Sequence, residues 1–283
     1  MKVALKLTRI NMSAAIAFSA VAGYVFNSGM FDWPVLAVFT GVLLLACAAT
    51  VLNQYQERDL DALMDRTKDR PIPSGQISPR TAVFYTLVIG ITGTVVLYFF
   101  TNPLTALLGI FNIIWYNAVY TPLKTKTPFV VIIGAVTGAI PPVMGWTAAG
   151  GSLIDQKIIF IASFLFLWQI PHFLLLLLKY KEDYRKAGFK SATNNLSDEQ
   201  VKSVVFIWTF GTSLITLFFP LFGIISGNFL TILIIALNIL LLVFFYRSTY
   251  RKEIHYNTGK AFGSLYLYQI AILAILIFQA LKP

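Results

Sequence analysis

Asn53, Glu57 and Asp61 recur at four-residue intervals, which on a helix places an amide and two carboxylates along one face and turns Arg58 and Asp59 away from it. That set suits a hard cation such as Mg2+, which takes one or two protein carboxylates and completes its shell with water and phosphate oxygens. Cations follow at once. Arg66, Lys68 and Arg70 stand close behind the carboxylates, and Pro71, Pro73 and Gly75 stiffen the loop beyond them. The run NQYQERDLDALMDRTKDRPIPS, 53–74, therefore reads as a metal and diphosphate site. The competing reading is a solvated helix end, since acidic pairs at this spacing are common on exposed helices.

Two later segments shift the weight toward a site. Tyr120 and Lys124 stand in YTPLKTK, and Lys179, Asp183 and Arg185 stand in KYKEDYRKAG. Each alone reads as a cationic anchor at a membrane surface. Together they add a third carboxylate, Asp183, to the metal set of Glu57 and Asp61, and they add Tyr120, Lys124, Lys179 and Arg185 to the diphosphate-binding set of Arg66, Lys68 and Arg70. Asn53, Glu57, Asp61 and Asp183 form the candidate catalytic group.

These residues are positioned by membrane helices. The chain has 283 residues, 57% of them hydrophobic and 12% charged, and a mean hydropathy of +0.74, more apolar surface than one water-soluble core would hold. Runs long enough to cross a hydrocarbon layer of about 30 Å occur at 11–26, 34–53, 81–100, 104–120, 129–149, 158–178, 201–225, 229–246 and 262–281. Backbone in lipid must satisfy its own hydrogen bonds, so these runs predict an all-α membrane protein: a bundle of about nine transmembrane helices, one domain over 1–283. Pro141, Pro142, Pro171 and Pro220 predict kinks.

With the N-terminus cytoplasmic, every Lys and Arg except Lys157 and Lys282 falls on the cytoplasmic side, including Arg247, Arg251, Lys252 and Lys260 before the last span. The active site is then expected to open to that face. The net charge of +10 belongs to that surface, where it attracts anionic lipid or an anionic substrate, and nucleic acid is not needed to explain it. Cys47 is alone, so no disulfide framework exists, and it reads as a small core residue. No small-residue cleavage pattern follows the first run, and the N-terminus reads as mature.

The segments NQYQERDLDALMDRTKDRPIPSG, YNAVYTPLKTKTP followed by GAIPPVMGW, FLWQIPHF and KEDYRKAG resemble, in order and spacing, the UbiA-type intramembrane prenyltransferases, and among them the protoheme IX farnesyltransferases (heme O synthases). The resemblance covers most of the chain. It implies that Asn53, Glu57 and Asp61 occupy the family's N-x-x-x-D-x-x-x-D positions, with Glu57 standing where Asp is usual. LTRINM likewise departs from the usual LTKPR. The implied reaction is transfer of the farnesyl group of farnesyl diphosphate to a vinyl group of heme b, with Mg2+ and the basic residues stabilising the leaving diphosphate. A bacterial inner membrane, contact with membrane lipid, and association with a downstream heme-modifying enzyme or terminal oxidase assembly are implied with it.

His172 follows Pro171 inside the sixth span, and an ionisable group there is a functional candidate by default. With Trp168 and Gln169 within helical reach, the imidazole could ligate or orient a porphyrin. Trp146 completes the expected acceptor pocket, and Tyr116, Trp115 and Asn112 are further cavity positions. Aromatic residues at helical spacing are more often packing, and a histidine bonded to a neighbouring helix is the plain alternative for His172. Gly134, Gly138 and Gly145 permit close helix approach, and His255 reads as solvated.

Three other functions compete. A prenyltransferase for a quinone precursor fits the charge pattern, but not the heme-type segments. A transporter would place charges at the bilayer midplane, where His172 is the main ionisable group. A phosphatidyl-group transferase would carry D-x-x-D-G, which is absent.

Overall fold

A computed structural model describes residues 2–251 and 256–282; Lys252 and His255 lie outside them. Among the described residues nine helices are long and apolar enough to cross a membrane. A short helix α1 (Lys2–Leu7) precedes the first, α2 (Ile10–Ser28). The second, α3 (Pro34–Gln56), runs into the one-turn α4 (Arg58–Asp61), and after a long loop α5 (Pro79–Phe100) returns. Ser78 and Asn102 accept hydrogen bonds from the amides of Thr81 and Thr105, and Pro79 and Pro103 follow them at the first helical position, so sequence alone starts α5 and α6 (Pro103–Ile114).

The fourth span differs from a plain helix. Beyond Ile114 it widens into a π-helical stretch, Trp115–Tyr120, before a last turn α7 (Thr121–Leu123). Pro122 explains this, because its ring has no N–H and would crowd the carbonyl four residues back in a regular helix. The fourth span therefore runs on to Leu123, one turn beyond the expected end at Tyr120. The bundle continues with α8 (Val130–Ala148), α9 (Gln156–Lys179), the short α10 (Lys181–Lys186), α11 (Asp198–Leu217), α12 (Asn228–Tyr250) and α13 (Thr258–Leu281). The seventh span stops at Leu217 rather than reaching 225. Pro220 follows, and Gly223 and Gly227 adopt left-handed φ of 62° and 86°, which turn the chain. Pro141, Pro142 and Pro171 sit inside continuous helices.

The helices form a ring. α2 packs on α3 and α8, α3 on α5, α8 on α6 and α9, α9 on α11 and α13, and α13 returns to α2. The approach of α8 to α2 is so close at Gly145 that any side chain there would strike the Ala20 carbonyl. Phe99, Phe229, Leu240 and Leu267 stay bare on the outer faces, as a surface solvated by lipid requires.

Candidate active site

The four-residue spacing survives the break between α3 and α4. Glu57 N donates to Asn53 O at 2.9 Å and Asp61 N donates to Glu57 O at 2.7 Å. All three side chains line one cavity of about 410 Å3. Arg58 and Asp59 pair with each other at 3.4 Å on the outer side.

Both carboxylates are buried, and each has its own cation. Arg70 Nη1 lies 2.6 Å from Asp61 Oδ2, and Lys124 Nζ lies 2.8 Å from Glu57 Oε1. Burial raises the Asp61 carboxyl above the ordinary carboxylate range, and the Arg70 guanidinium offsets this only in part. At Lys124 burial would lower the ammonium pKa, but the Glu57 carboxylate and the Tyr120 and Tyr116 rings outweigh it and hold the group above its usual value. Asn53 Nδ2 donates to Thr121 Oγ1 at 3.1 Å, tying α3 to the end of the fourth span.

Asp61 Oδ1 is buried without a partner, while Glu57 Oε1 is met only by the Lys124 ammonium. A free carboxylate oxygen beside an ion-paired carboxylate on the same cavity is a donor set that suits a divalent cation with few protein ligands. The expected third ligand is elsewhere. Among the described residues no cluster of three metal-ligating side chains forms. Asp183 instead accepts hydrogen bonds from the amides of Asp65 and Arg66, each at 3.3 Å, and so holds the loop after α4 against α10. Lys186 adds an ion pair to Asp65 at 3.1 Å, and hydrogen bonds from Lys68 and Lys186 keep the Asp65 carboxyl down at about 2.

The expected cations divide into two groups. Arg66, Arg70, Lys124 and Tyr120 border the cavity. Arg66 is set by stacking, its guanidinium 4.6 Å from the Tyr180 ring and 5.7 Å from that of Tyr184. Lys68, Lys179 and Arg185 do not border it. Lys68 and Arg185 pair with Asp65 and Glu182 three residues away, and the Lys179 ammonium lies 5.3 Å from the Tyr180 ring. Solvated partners three residues away, in the loop after α4 for Lys68 and on the short α10 for Arg185, draw these side chains outward.

Two cations that line the cavity, Arg9 and Lys190, have no counterpart in the expected site. Arg9 borders the cavity and, among the described residues, makes no salt bridge or side-chain hydrogen bond. It alone among the described non-glycine residues has a left-handed backbone, at φ 47°. The segment before it is pinned from three buried positions: Ser13 Oγ and Thr50 Oγ1 donate to Thr8 O at 2.9 and 3.0 Å, and Gln54 Nε2 donates to Leu7 O. The sequence signal was an arginine at the mouth of the first span with no acid near it.

Deeper in the cavity the walls become aromatic. His172 stacks on Trp168 with ring centroids 5.1 Å apart and meets Phe262 and Tyr266 edge-on at 5.0 and 5.2 Å. Its Nδ1 is buried with no partner. Trp168 Nε1 donates to Leu265 O at 2.9 Å, fixing α9 against α13. Gln169 also lines the cavity and occupies the space left by Gly138. Tyr116 and Tyr120, four residues apart and so on one face, both line the cavity with ring centroids 5.5 Å apart, and Tyr120 stacks on Phe173 at 6.0 Å. Trp146 is a correction. It lies near the opposite end of α8, where it packs on Phe26 and donates to Ser152 O at 3.0 Å. Trp115 donates to Ile133 O and does not border the cavity.

The UbiA prenyltransferase family model matches residues 16–276. A protoheme IX farnesyltransferase of Geobacter sulfurreducens is 39% identical over 222 residues, 78% of this chain and 82% of that protein. One from Flavobacterium psychrophilum is 33% identical over 96% of this chain and 90% of its own length. The human mitochondrial protoheme IX farnesyltransferase is 43% identical over 65% of this chain, and the match spans 42% of that protein. A solved digeranylgeranylglyceryl phosphate synthase shares the fold at a TM-score of 0.80 and 18% identity, covering 100% of this chain and 99% of that one. A UbiA homolog from Archaeoglobus fulgidus bound to GPP and Mg2+ does so at 0.72 and 16%, covering 99% and 100%. The chain belongs to the UbiA prenyltransferase family.

Proposed function

We propose that this prenyltransferase moves the farnesyl group of farnesyl diphosphate to a vinyl group of heme b, giving heme O and diphosphate. The observation that carries the reading is one continuous cavity, with paired carboxylates and five cations (Arg9, Arg66, Arg70, Lys124 and Lys190) at its polar end and the His172 aromatic box deeper in. The names of the relatives point to the same acceptor.

At the polar end Arg66, Arg70, Lys124 and Arg9 receive the diphosphate oxygens. Glu57 and Asp61 would hold Mg2+, which when bound would supply the extra positive charge that makes diphosphate a good leaving group. The bond from C1 to oxygen then breaks with its electron pair going to diphosphate. The faces of Tyr116, Tyr120 and Phe173 line the way between the two ends, where they exclude water and favour the allylic cation. The vinyl π pair of heme attacks C1, and water adds to the cation left on the vinyl group and gives up a proton, leaving a hydroxyethylfarnesyl substituent. His172, with a free Nδ1 and stacked neighbours, orients the porphyrin.

The polar end faces the cytoplasm of a bacterial inner membrane, with the N-terminus inside, because nearly all Lys and Arg crowd that end. The product would pass to a heme-modifying enzyme or an oxidase assembly. Membranes containing the protein, given heme b, Mg2+ and farnesyl diphosphate, should yield an extracted heme with the mass of the hydroxyethylfarnesyl adduct, and excess EDTA should abolish it. Heme recovered unchanged would sink the proposal, and full turnover in EDTA would remove the metal from it.

A further inference from the structure

Gln169 on α9 and Gln269 on α13 line the main cavity from two of its walls. Gln169 precedes His172 by three residues and Gln269 follows Tyr266 by three, so each shares a helix face with that neighbour. His172 meets Tyr266 edge-on at 5.2 Å. α9 runs toward the carboxylate end, where it leads into α10, and α13 runs the other way, since Phe262 meets His172 while Tyr268 meets the deeper Phe164. Both amides therefore lie about one turn, roughly 5 Å, beyond the same ring contact, on its side away from the carboxylates. Gly138 locates the Gln169 head: a side chain added at that glycine would start 2.5 Å from Gln169 Oε1.

Neither amide makes a hydrogen bond among the described residues, and both stay partly open to the cavity. An unpartnered amide between membrane spans is costly, and here two stand one turn below the buried Nδ1 of His172, which also has no partner. Ser19 of α2 borders the same cavity. Its hydroxyl donates to Ile16 O at 2.7 Å and keeps its lone pairs free to accept. These groups supply the donors and acceptors of which a buried water takes two to four. Phe173 lies one turn nearer the polar end than Gln169 and stacks on Tyr120, so a water on the amides is screened by rings from an allylic cation forming at the diphosphate. It is not screened from the His172 box.

We propose that Gln169 and Gln269 seat the water that adds to the prenylated acceptor, and that His172 Nδ1 receives its proton. The inference rests on heme prenylation as the function and assigns the step that completes it. Once the vinyl π pair has bonded to C1, the positive charge lies on the vinyl carbon next to the porphyrin ring. The water oxygen gives a lone pair to that carbon, and one of its O–H bonds breaks with the proton passing to His172 Nδ1. With no water seated, the same cation loses a proton to Nδ1 from the neighbouring methylene instead. The product is then an alkene lighter than the alcohol by one water.

The test gives heme b, Mg2+ and farnesyl diphosphate to membranes holding wild type, Gln169→Met or Gln269→Met, and reads the ratio of alkene to alcohol among the extracted prenylated hemes by mass. Methionine keeps the length of the side chain and removes the amide. Each variant should raise the ratio by about tenfold, the scale of one hydrogen bond lost from the reacting water. A ratio does not depend on how much of a variant folds, and the two positions lie on different helices. A wild-type ratio in both variants overturns the inference, and so does loss of all prenylated heme in both, which would make the amides part of acceptor binding. Wild-type protein that yields no prenylated heme of either mass would instead overturn the function on which the inference rests.

Discussion

Lys124 reaches across from the end of the fourth span to set its ammonium 2.8 Å from Glu57 Oε1, the residue at which α3 breaks. One turn further on, Arg70 performs the same service for Asp61 at 2.6 Å. The two carboxylates are thus neutralised by cations from two different loops, each of which a metal and a diphosphate could recruit. In the proposed reaction the carboxylates would turn to the metal and the freed cations to the phosphate oxygens.

Glu57 is the sharpest point to test, because it adds a methylene where the family usually has aspartate. Glu57→Gln keeps the size and removes the charge, and should lower turnover by about 100-fold, the scale of losing one stabilising electrostatic contact in a water-excluded site. Glu57→Asp should remain substantially active, since both are hard oxygen ligands. Asp61→Asn should resemble Glu57→Gln. Diphosphate release measured at several Mg2+ concentrations decides the matter: wild-type behaviour of Glu57→Gln at every concentration would exclude Glu57 as an essential ligand.

Asp183 holds amides, and that changes what its loss should do. With the Asp65 and Arg66 amides released, the loop that presents Arg66 loosens. Asp183→Ala is expected to raise KM for the prenyl diphosphate by about tenfold with the Mg2+ requirement unaltered, as for a residue that positions another. A displaced Mg2+ dependence would restore it as a ligand. Asp155→Ala is the control at the other end of the bundle. Its carboxylate caps α9 by accepting from Lys157 N at 2.8 Å, so the change should cost about 1 kcal/mol of stability and leave KM alone.

The contrast between these residues shows what a sequence carries. Asn53, Glu57 and Asp61 were legible because a helical period fixes which side chains share a face, and the period continues through the break. The spans were legible because lipid demands long apolar helices. The end of the seventh was misplaced because an apolar turn around Pro220 has the same composition as a helix. Asp183, Lys68 and Arg185 look like site residues in a charge pattern, and only tertiary pairing shows that amides and near neighbours have claimed them. Trp146 was recoverable by counting: it lies 16 residues beyond Val130, roughly 24 Å along α8 from the polar end. The widening at Trp115–Tyr120 has only Pro122 as its signal.

His172 should act on the acceptor side alone. His172→Ala is expected to weaken heme b binding, followed by the Soret band during titration, while prenyl diphosphate affinity stays near wild type. His172→Phe keeps the stack with Trp168 and the edge contacts, and removes Nδ1. If the phenylalanine variant binds heme as tightly as wild type with unchanged turnover, the imidazole is only packing.

Arg9 separates function from stability in one position. A non-glycine residue in the left-handed region is disfavoured by roughly 1–2 kcal/mol, and here three buried side chains on α2 and α3 hold the preceding carbonyls so that the conformation persists. Arg9→Gly removes the backbone penalty together with the guanidinium. It should leave thermal stability equal to or above wild type and still raise KM for the prenyl diphosphate by about tenfold, the effect of losing one charge-assisted contact. Arg9→Ala removes the guanidinium but keeps the strained backbone, so it should match the glycine variant in KM and fall below it in melting temperature. Arg9→Lys keeps the charge and should recover part of the affinity. A glycine variant with wild-type KM would mean that the strained turn serves only to enter α2, and that the cations of the later loops bind the diphosphate unaided.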